Sequence, residues 1–156
     1  MGYIFQDTAI GILRIEKQDG YLTSIKLVNK KEPNNITNRI LIKAKDQLNE
    51  YFSGKRKVFN LPLKIVGTDF QKSVWKALLN IKYGETKSYK DIAEEIGNPK
   101  ACRAIGMANN KNDIIIVIPC HRVIGNNKKL VGYACGLDIK EKLLKLESDN
   151  SSNNKK

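Results

Sequence analysis

Hydrophobic positions change their rhythm near residue 67, and the change divides the chain. Before it, short apolar runs at residues 3–5, 11–15 and 21–27 are separated by Asp7-Thr8 and by Gln18-Asp19-Gly20. Asp-Gly between β-type runs is a strong hairpin signal, because a tight turn needs residues that tolerate positive φ. The pattern predicts a small antiparallel sheet. Residues 30–38 are polar with one proline and read as a loop. Ile40, Leu41, Ala44, Leu48, Tyr51 and Phe52 then recur at helical spacing behind Thr37 or Asn38 as cap, and Gly54 ends the helix. Val58-Phe59-Asn60-Leu61 reads as an edge strand before Pro62.

Beyond residue 67 the rhythm is helical. Thr68 and Gln71 have capping-box spacing, ahead of an apolar face of Phe70, Val74, Trp75, Leu78 and Leu79. Ser88 and Asp91 start a second helix that ends at Gly97. Asn98 as cap and Pro99 at the first position predict a third helix through Ala108. Two short helices joined through a glycine predict a helix-turn-helix. At 100° per residue, Ala101, Ala104, Ile105 and Ala108 form one side of that third helix. Arg103 and Lys100 rise on the other among small side chains. Such a face suits close approach to a groove, and an ordinary solvated face with one arginine explains it as well.

Residues 114–118 are five aliphatics in a row, which predicts a buried strand leading into Pro119, Cys120 and His121, the only histidine. Residues 125–129 predict a turn resembling a wing. Asp138 and Glu141 have capping-box spacing for a last helix whose buried arc holds Ile139, Leu143, Leu144 and Leu146. Glu147 falls inside that arc, where a carboxylate needs a partner unless the helix end frays into water. The fold class is α+β. The expected division is a sheet-plus-helix domain at 1–66, a mostly helical domain at 67–148, and a disordered Ser/Asn/Lys tail at 149–156.

Composition narrows the partners. Lys and Arg number 28 against 16 Asp and Glu, a net charge of +12, which favours a polyanion such as nucleic acid, although a basic proteome gives the same balance. No apolar run approaches the roughly 20 residues needed to span a bilayer. No secretory signal is visible, and three cysteines without CxxC spacing fit free thiols in a reducing cytoplasm. Cys102, Cys120, His121 and Cys135 could in number make a zinc site, but none has the short spacing of structural zinc modules. No metal or other cofactor is expected.

Cys120 and His121 carry the candidate chemistry. A thiolate attacks and a thiol does not, so a nearby imidazole can take the proton, directly or through a water, while a carboxylate fixes its tautomer. Glu147 is the acid available. Adjacent side chains on a regular strand point to opposite faces, so the backbone must turn at Pro119 or a water must bridge. A structural cysteine beside a core histidine is the commoner meaning of the tripeptide alone.

Pro119-Cys120-His121-Arg122-Val123 resembles the active-site signature of the methylated-DNA–protein-cysteine methyltransferases, the O6-alkylguanine-DNA alkyltransferases. The likeness runs over residues 69–147, through Tyr83-Gly84-Glu85-Thr86, Ser88-Tyr89, Gly97-Asn98-Pro99-Lys100-Ala101, Arg103-Ala104, Gly132-Tyr133 and Lys140-Glu141. It implies a ribonuclease-H-like N-terminal domain and a winged helix-turn-helix C-terminal domain. It implies a monomer that binds double-stranded DNA containing O6-alkylguanine and rotates that base out of the stack. The alkyl group, or that of O4-methylthymine, passes irreversibly to Cys120. By the same resemblance Glu147 orients His121, Asn112 braces the turn, and Tyr89 promotes rotation and donates to the base. Val123, Tyr133 and Ala134 line the pocket. Arg103 fills the vacated stack, with Lys90, Asn98, Cys102 and Asn126 also on the DNA.

This sequence departs from the family pattern at Cys135, where a second thiol near the pocket is expected to narrow it against bulky groups such as benzyl. Cys102 replaces a more usual alanine. Three other readings of the residues stand beside this one: a damage-binding module without chemistry, which the presence of Cys120 disfavours; a helix-turn-helix regulator; and a cysteine hydrolase, which would turn over.

Overall fold

The structure, a computed structural model, describes residues 2–34, 38–125, 133 and 135–153. It divides into two compact units, Met1–Ile65 and Val66–Lys156.

In the first unit β1 (Gly2–Thr8), β2 (Gly11–Gln18) and β3 (Tyr21–Val28) form an antiparallel sheet in that order. Asp19 takes φ 54° in the β2–β3 turn, the left-handed conformation that Asp tolerates better than most residues. Helix α1 (Arg39–Phe52) packs on the sheet and is capped by the Asn38 side chain, which accepts from the Ile40 N–H at 2.8 Å. Leu13, Ile15, Leu22, Ile25, Leu41, Ala44, Leu48 and Tyr51 are wholly buried between them. The expected edge strand at 58–61 does not form. The chain meets β3 only after Pro62, where Leu22 N–H donates to Pro62 O at 2.8 Å and Lys64 N–H to Leu22 O at 3.0 Å. Proline offers no N–H, so pairing there rests on its carbonyl.

The second unit is built on α2 (Asp69–Leu79), α3 (Tyr89–Glu95), α4 (Cys102–Asn110) and α5 (Leu137–Asn153), with a parallel pair, β4 (Lys87–Ser88) and β5 (Val123–Ile124). Thr68–Gln71 and Ser88–Asp91 both make full capping boxes. Trp75 sits at the centre, its Nε1–H donating to Ala108 O at 2.9 Å, which ties α2 to the end of α4.

Five further expectations differ from what is observed. Helix α4 begins at Cys102: Asn98 to Ala101 forms a turn closed by Ala101 N–H on Asn98 O, so Asn98 caps nothing. Its buried arc is Ile105, Ala108 and Asn109, leaving Ala104 exposed. Residues 114–118 are buried but are turns, with Val117 N–H on Ile115 O and Ile118 N–H on Ile114 O. Ile116 takes φ 72°, costly for a β-branched residue. Helix α5 starts at Leu137, with Asp138 inside its first turn and not its cap. It also runs to Asn153, past the tail expected from 149. Asn150 Nδ2 donates to Leu146 O at 2.8 Å, and Ser151 lies against Gly84, so the polar end is docked. The wing expected at 125–129 falls almost wholly outside the described residues.

Candidate active site

Pro119, at φ −80° and ψ 64°, sends the chain from the buried turns into a single 3₁₀ turn, Cys120–Arg122. Cys120 N–H donates back to Ile118 O at 2.7 Å across that proline, and Arg122 N–H to Pro119 O at 3.0 Å. The backbone therefore turns where a regular strand would have put thiol and imidazole on opposite faces. Two asparagines hold the turn from outside. Asn112 Oδ1 accepts from Ile114 N–H at 3.0 Å while its Nδ2 donates to Ile118 O at 2.7 Å. Asn109 Nδ2 donates to Cys120 O at 3.2 Å. These bonds meet the N–H of Ile114 and the carbonyls of Ile118 and Cys120 inside the core, where an unmade bond is costly.

His121 is fully buried, and its Nε2 lies 2.6 Å from Glu147 Oε2. Glu147 is 1% exposed and is also gripped by Arg122, with Nε at 2.8 Å from Oε1 and Nη2 at 3.0 Å from Oε2. Arg122 Nη1 donates to Ile81 O at 2.7 Å, so the guanidinium is itself anchored. Burial raises the Glu147 carboxyl, but the bonds and charges of His121 and Arg122 outweigh it and hold the pKa at about 2. Burial lowers His121 despite Glu147, so the imidazole is neutral. An ionised carboxylate only accepts, which places the imidazole proton on Nε2 and leaves a lone pair on Nδ1. That Nδ1 has no hydrogen-bond partner among the described residues. It is a base held ready.

Cys120 is 3% exposed, and burial pushes its thiol up to about 11. At neutral pH roughly one thiol in 10⁴ is then ionised, so the sulfur depends on its neighbours for activation. Asn112 and Tyr133 favour the thiolate, and Cys135, half-buried, opposes it by charge. Tyr133 is buried. Lys140 is completely buried, and its Nζ donates to Val123 O and stands 5.9 Å above the Tyr133 ring. Val123 is wholly buried in β5, beside Lys87. Tyr89, the first residue of α3, is half-buried, and its phenol is raised by burial and by the charge of Cys120. A Cβ on Gly106 would sit 3.8 Å from the Tyr89 ring, so this ring lies beside α4 one turn from Arg103.

Arg103, Lys90 and Asn98 are exposed, and Cys102 is half-buried on the first turn of α4. Asn126 and Ala134 lie outside the described residues. Reasoning from the sequence missed Arg122, Asn109 and Lys140. Arg122 was visible as the residue after His121 but reads as a surface cation. Asn109 reads as loop, and Lys140 as the polar side of a helix. Among the described residues no group of three or more His, Cys, Asp or Glu is placed to hold a metal ion. No helix among them is long and apolar enough to cross a membrane.

A buried thiol, an imidazole poised as base and a helix-turn-helix in one unit define a DNA-binding protein with nucleophilic chemistry of its own. The family description "6-O-methylguanine DNA methyltransferase, DNA binding domain" matches residues 69–149, and "6-O-methylguanine DNA methyltransferase, ribonuclease-like domain" matches residues 1–65. A methylated-DNA–protein-cysteine methyltransferase of Mycolicibacterium paratuberculosis is 46% identical over 150 residues, 93% of this chain and 91% of its own. One of Methanosarcina barkeri is 65% identical over 107 residues, 69% of this chain and 68% of its own. The crystal structure of Mycobacterium tuberculosis OGT in complex with DNA superposes with a TM-score of 0.87 at 45% identity, covering 95% of this chain and 93% of that one. The chain belongs to the methylated-DNA–protein-cysteine methyltransferase family.

Proposed function

We propose that this protein repairs alkylated DNA directly, as a monomer in the cytoplasm, by moving the alkyl group of O6-alkylguanine in duplex DNA onto Cys120. The observation that carries the reading is the chain Cys120–His121–Glu147–Arg122. A buried thiol shares one 3₁₀ turn with an imidazole whose free nitrogen is a base, and whose tautomer is fixed by an ionised carboxylate.

In this reading the thiol proton passes to His121 Nδ1 through a water, the S–C bond forms, and the C–O6 bond breaks. The leaving guanine takes a proton from the Tyr89 hydroxyl and departs neutral. The thioether is stable, so each molecule reacts once. Asn112 keeps the turn that presents the sulfur, and Val123, Tyr133 and Ala134 wall the pocket. Arg103 enters the stack from an exposed face of α4, with Lys90, Asn98, Cys102 and Asn126 along the DNA. Base rotation costs a few kcal/mol and costs least at a weakened pair, which favours damaged guanine.

Incubation with duplex DNA containing O6-methylguanine, followed by mass measurement of the protein, tests the reading. The expected product carries one methyl group on Cys120, in stoichiometric amount, and Cys120→Ala gives none. Sustained turnover without an adduct identifies a hydrolase and overturns it.

A further inference from the structure

Residues 81–84 take no part in the proposed chemistry, yet they meet the charged end of the site. The segment leaves α2 through Ile81 N–H on Leu78 O at 3.0 Å and is closed by Glu85 N–H on Lys82 O at 3.0 Å. Ile81 is buried, and its carbonyl accepts from Arg122 Nη1 at 2.7 Å. Two residues on, the Tyr83 ring lies against the same guanidinium, with Arg122 Cζ 5.7 Å from the ring centre. Gly84, at φ 82°, leaves the space that Ser151 of α5 occupies.

Arg122 is thus held in two ways. Hydrogen bonds take its N–H edges: Nε and Nη2 donate to Glu147 at 2.8 and 3.0 Å, and Nη1 to Ile81 O. The ring attracts the cation itself, and such an attraction is strongest where water is excluded. Arg122 is buried, so that condition is met.

The carboxylate that Arg122 grips is the one that fixes the base. Glu147 Oε2 lies 3.0 Å from Arg122 Nη2 and 2.6 Å from His121 Nε2. An oxygen shared between two donors is placed by both, so a guanidinium free to drift would draw Glu147 off the imidazole. Burial and the charge of Glu147 both raise the Tyr83 phenol, so the ring also feels that carboxylate.

We propose that Tyr83 is a positioning residue for the base: its ring keeps Arg122 on Glu147, and through Glu147 keeps His121 in the orientation that serves Cys120. The ring carries this role and the hydroxyl does not, so phenylalanine can replace it. The proposal deepens the reading of Cys120 as alkyl acceptor and rests on it.

One histidine and one tryptophan make the test direct. In the full-length protein, NMR follows two ring protons: His121 Nε2–H on Glu147, and Trp75 Nε1–H on Ala108 O, which reports on the second unit as a whole. In Tyr83→Leu, exchange with water is expected to be about tenfold faster at His121 and unchanged at Trp75, and single-turnover methyl transfer to Cys120 about tenfold slower. Tyr83→Phe is expected to match the wild type in all three. A Tyr83→Leu protein whose His121 proton exchanges at the wild-type rate overturns the proposal. So does equal acceleration at Trp75, since a merely structural tyrosine would loosen the whole unit. A Tyr83→Phe protein as impaired as Tyr83→Leu places the role in the hydroxyl and overturns it as well. If Tyr83→Leu does not fold, the wild type decides: Arg122 Nε–H is expected to exchange more slowly than the Nε–H of the exposed Arg103, and equal rates sink the idea. A wild type that takes up no methyl group counts against Cys120 as acceptor, whereas the exchange rates read the role of the ring by themselves.

Discussion

Arg122 and Glu147 meet in two parallel bonds, Nε to Oε1 at 2.8 Å and Nη2 to Oε2 at 3.0 Å, with both side chains nearly excluded from water. The second carboxylate oxygen is the one that also holds His121. The histidine's orientation therefore depends also on the Arg122 guanidinium, which grips the same carboxylate. Removing one member of a buried pair leaves the other charge uncompensated, which costs about 3–5 kcal/mol. Glu147→Ala is expected to lose stability of that order in urea unfolding, and methyl transfer is expected to slow by about 10²–10⁴ as the base loses its orientation. Arg122→Met, which removes the cation but leaves His121 as a partner, should destabilise and should slow transfer less.

Acid should act through the same carboxylate. Its folded pKa is about 2 against an ordinary 4.5, so the unfolded chain binds the proton first as pH falls. The stabilisation is complete above 4.5 and is lost as pH drops through 2, about 3 kcal/mol in all. His121, also lowered, has the same sign, its stabilisation fading below the ordinary histidine value of 6.5. Urea midpoints measured from pH 7 down to pH 2 should fall in the wild type, and in Glu147→Gln the portion below 4.5 should be absent.

Gly84 has φ 82°, and a Cβ there would stand 2.1 Å from Ser151 Oγ. Gly84→Ala should destabilise by about 1–3 kcal/mol through backbone strain and overlap. Ser151→Gly in the same protein should recover the overlap but not the strain. If the double variant is no more stable than the single one, the docking of the end of α5 on this turn is wrong.

Arg103 is exposed on α4, away from the buried chemistry. Arg103→Ala should sharply slow repair of O6-methylguanine in duplex DNA, while reaction with free O6-benzylguanine stays within about twofold, since no stack has to be opened for a free base. Single-turnover rates on the two substrates separate these effects.

Cys135 is half-buried and acts on Cys120 by charge. Cys135→Gly should accelerate reaction with O6-benzylguanine and leave O6-methylguanine repair nearly unchanged. Equal benzylguanine rates in the two proteins would remove the idea that this side chain narrows the site.

Much of this architecture was legible from local chemistry. Asn38, Thr68 and Ser88 cap helices because their side chains act on N–H groups two or three residues away, a relation that sequence spacing contains. Glu147 stood out because a carboxylate on an apolar arc requires a partner somewhere. Residues 114–118 were misleading because burial and strand look alike in composition. What bends them is Asn112 closing one loop and Pro119 another, long enough to force a β-branched residue to positive φ. Asn109, Arg122 and Lys140 were illegible for the opposite reason. Each is a polar residue that donates to a distant backbone carbonyl, of Cys120, Ile81 and Val123, and nothing in the chain order announces such a partner.

Strands β4 and β5 are two residues long, and their register sets Lys87 beside Val123 and Ser88 beside Ile124. Ser88 caps α3, and Val123 closes the turn that holds the sulfur. The start of α3 and the turn that carries the sulfur are thus pinned to each other directly. Among the described residues the thiol is carried by this buried turn. In the proposed reaction it is then the damaged base that makes the journey, to a sulfur held still in the core.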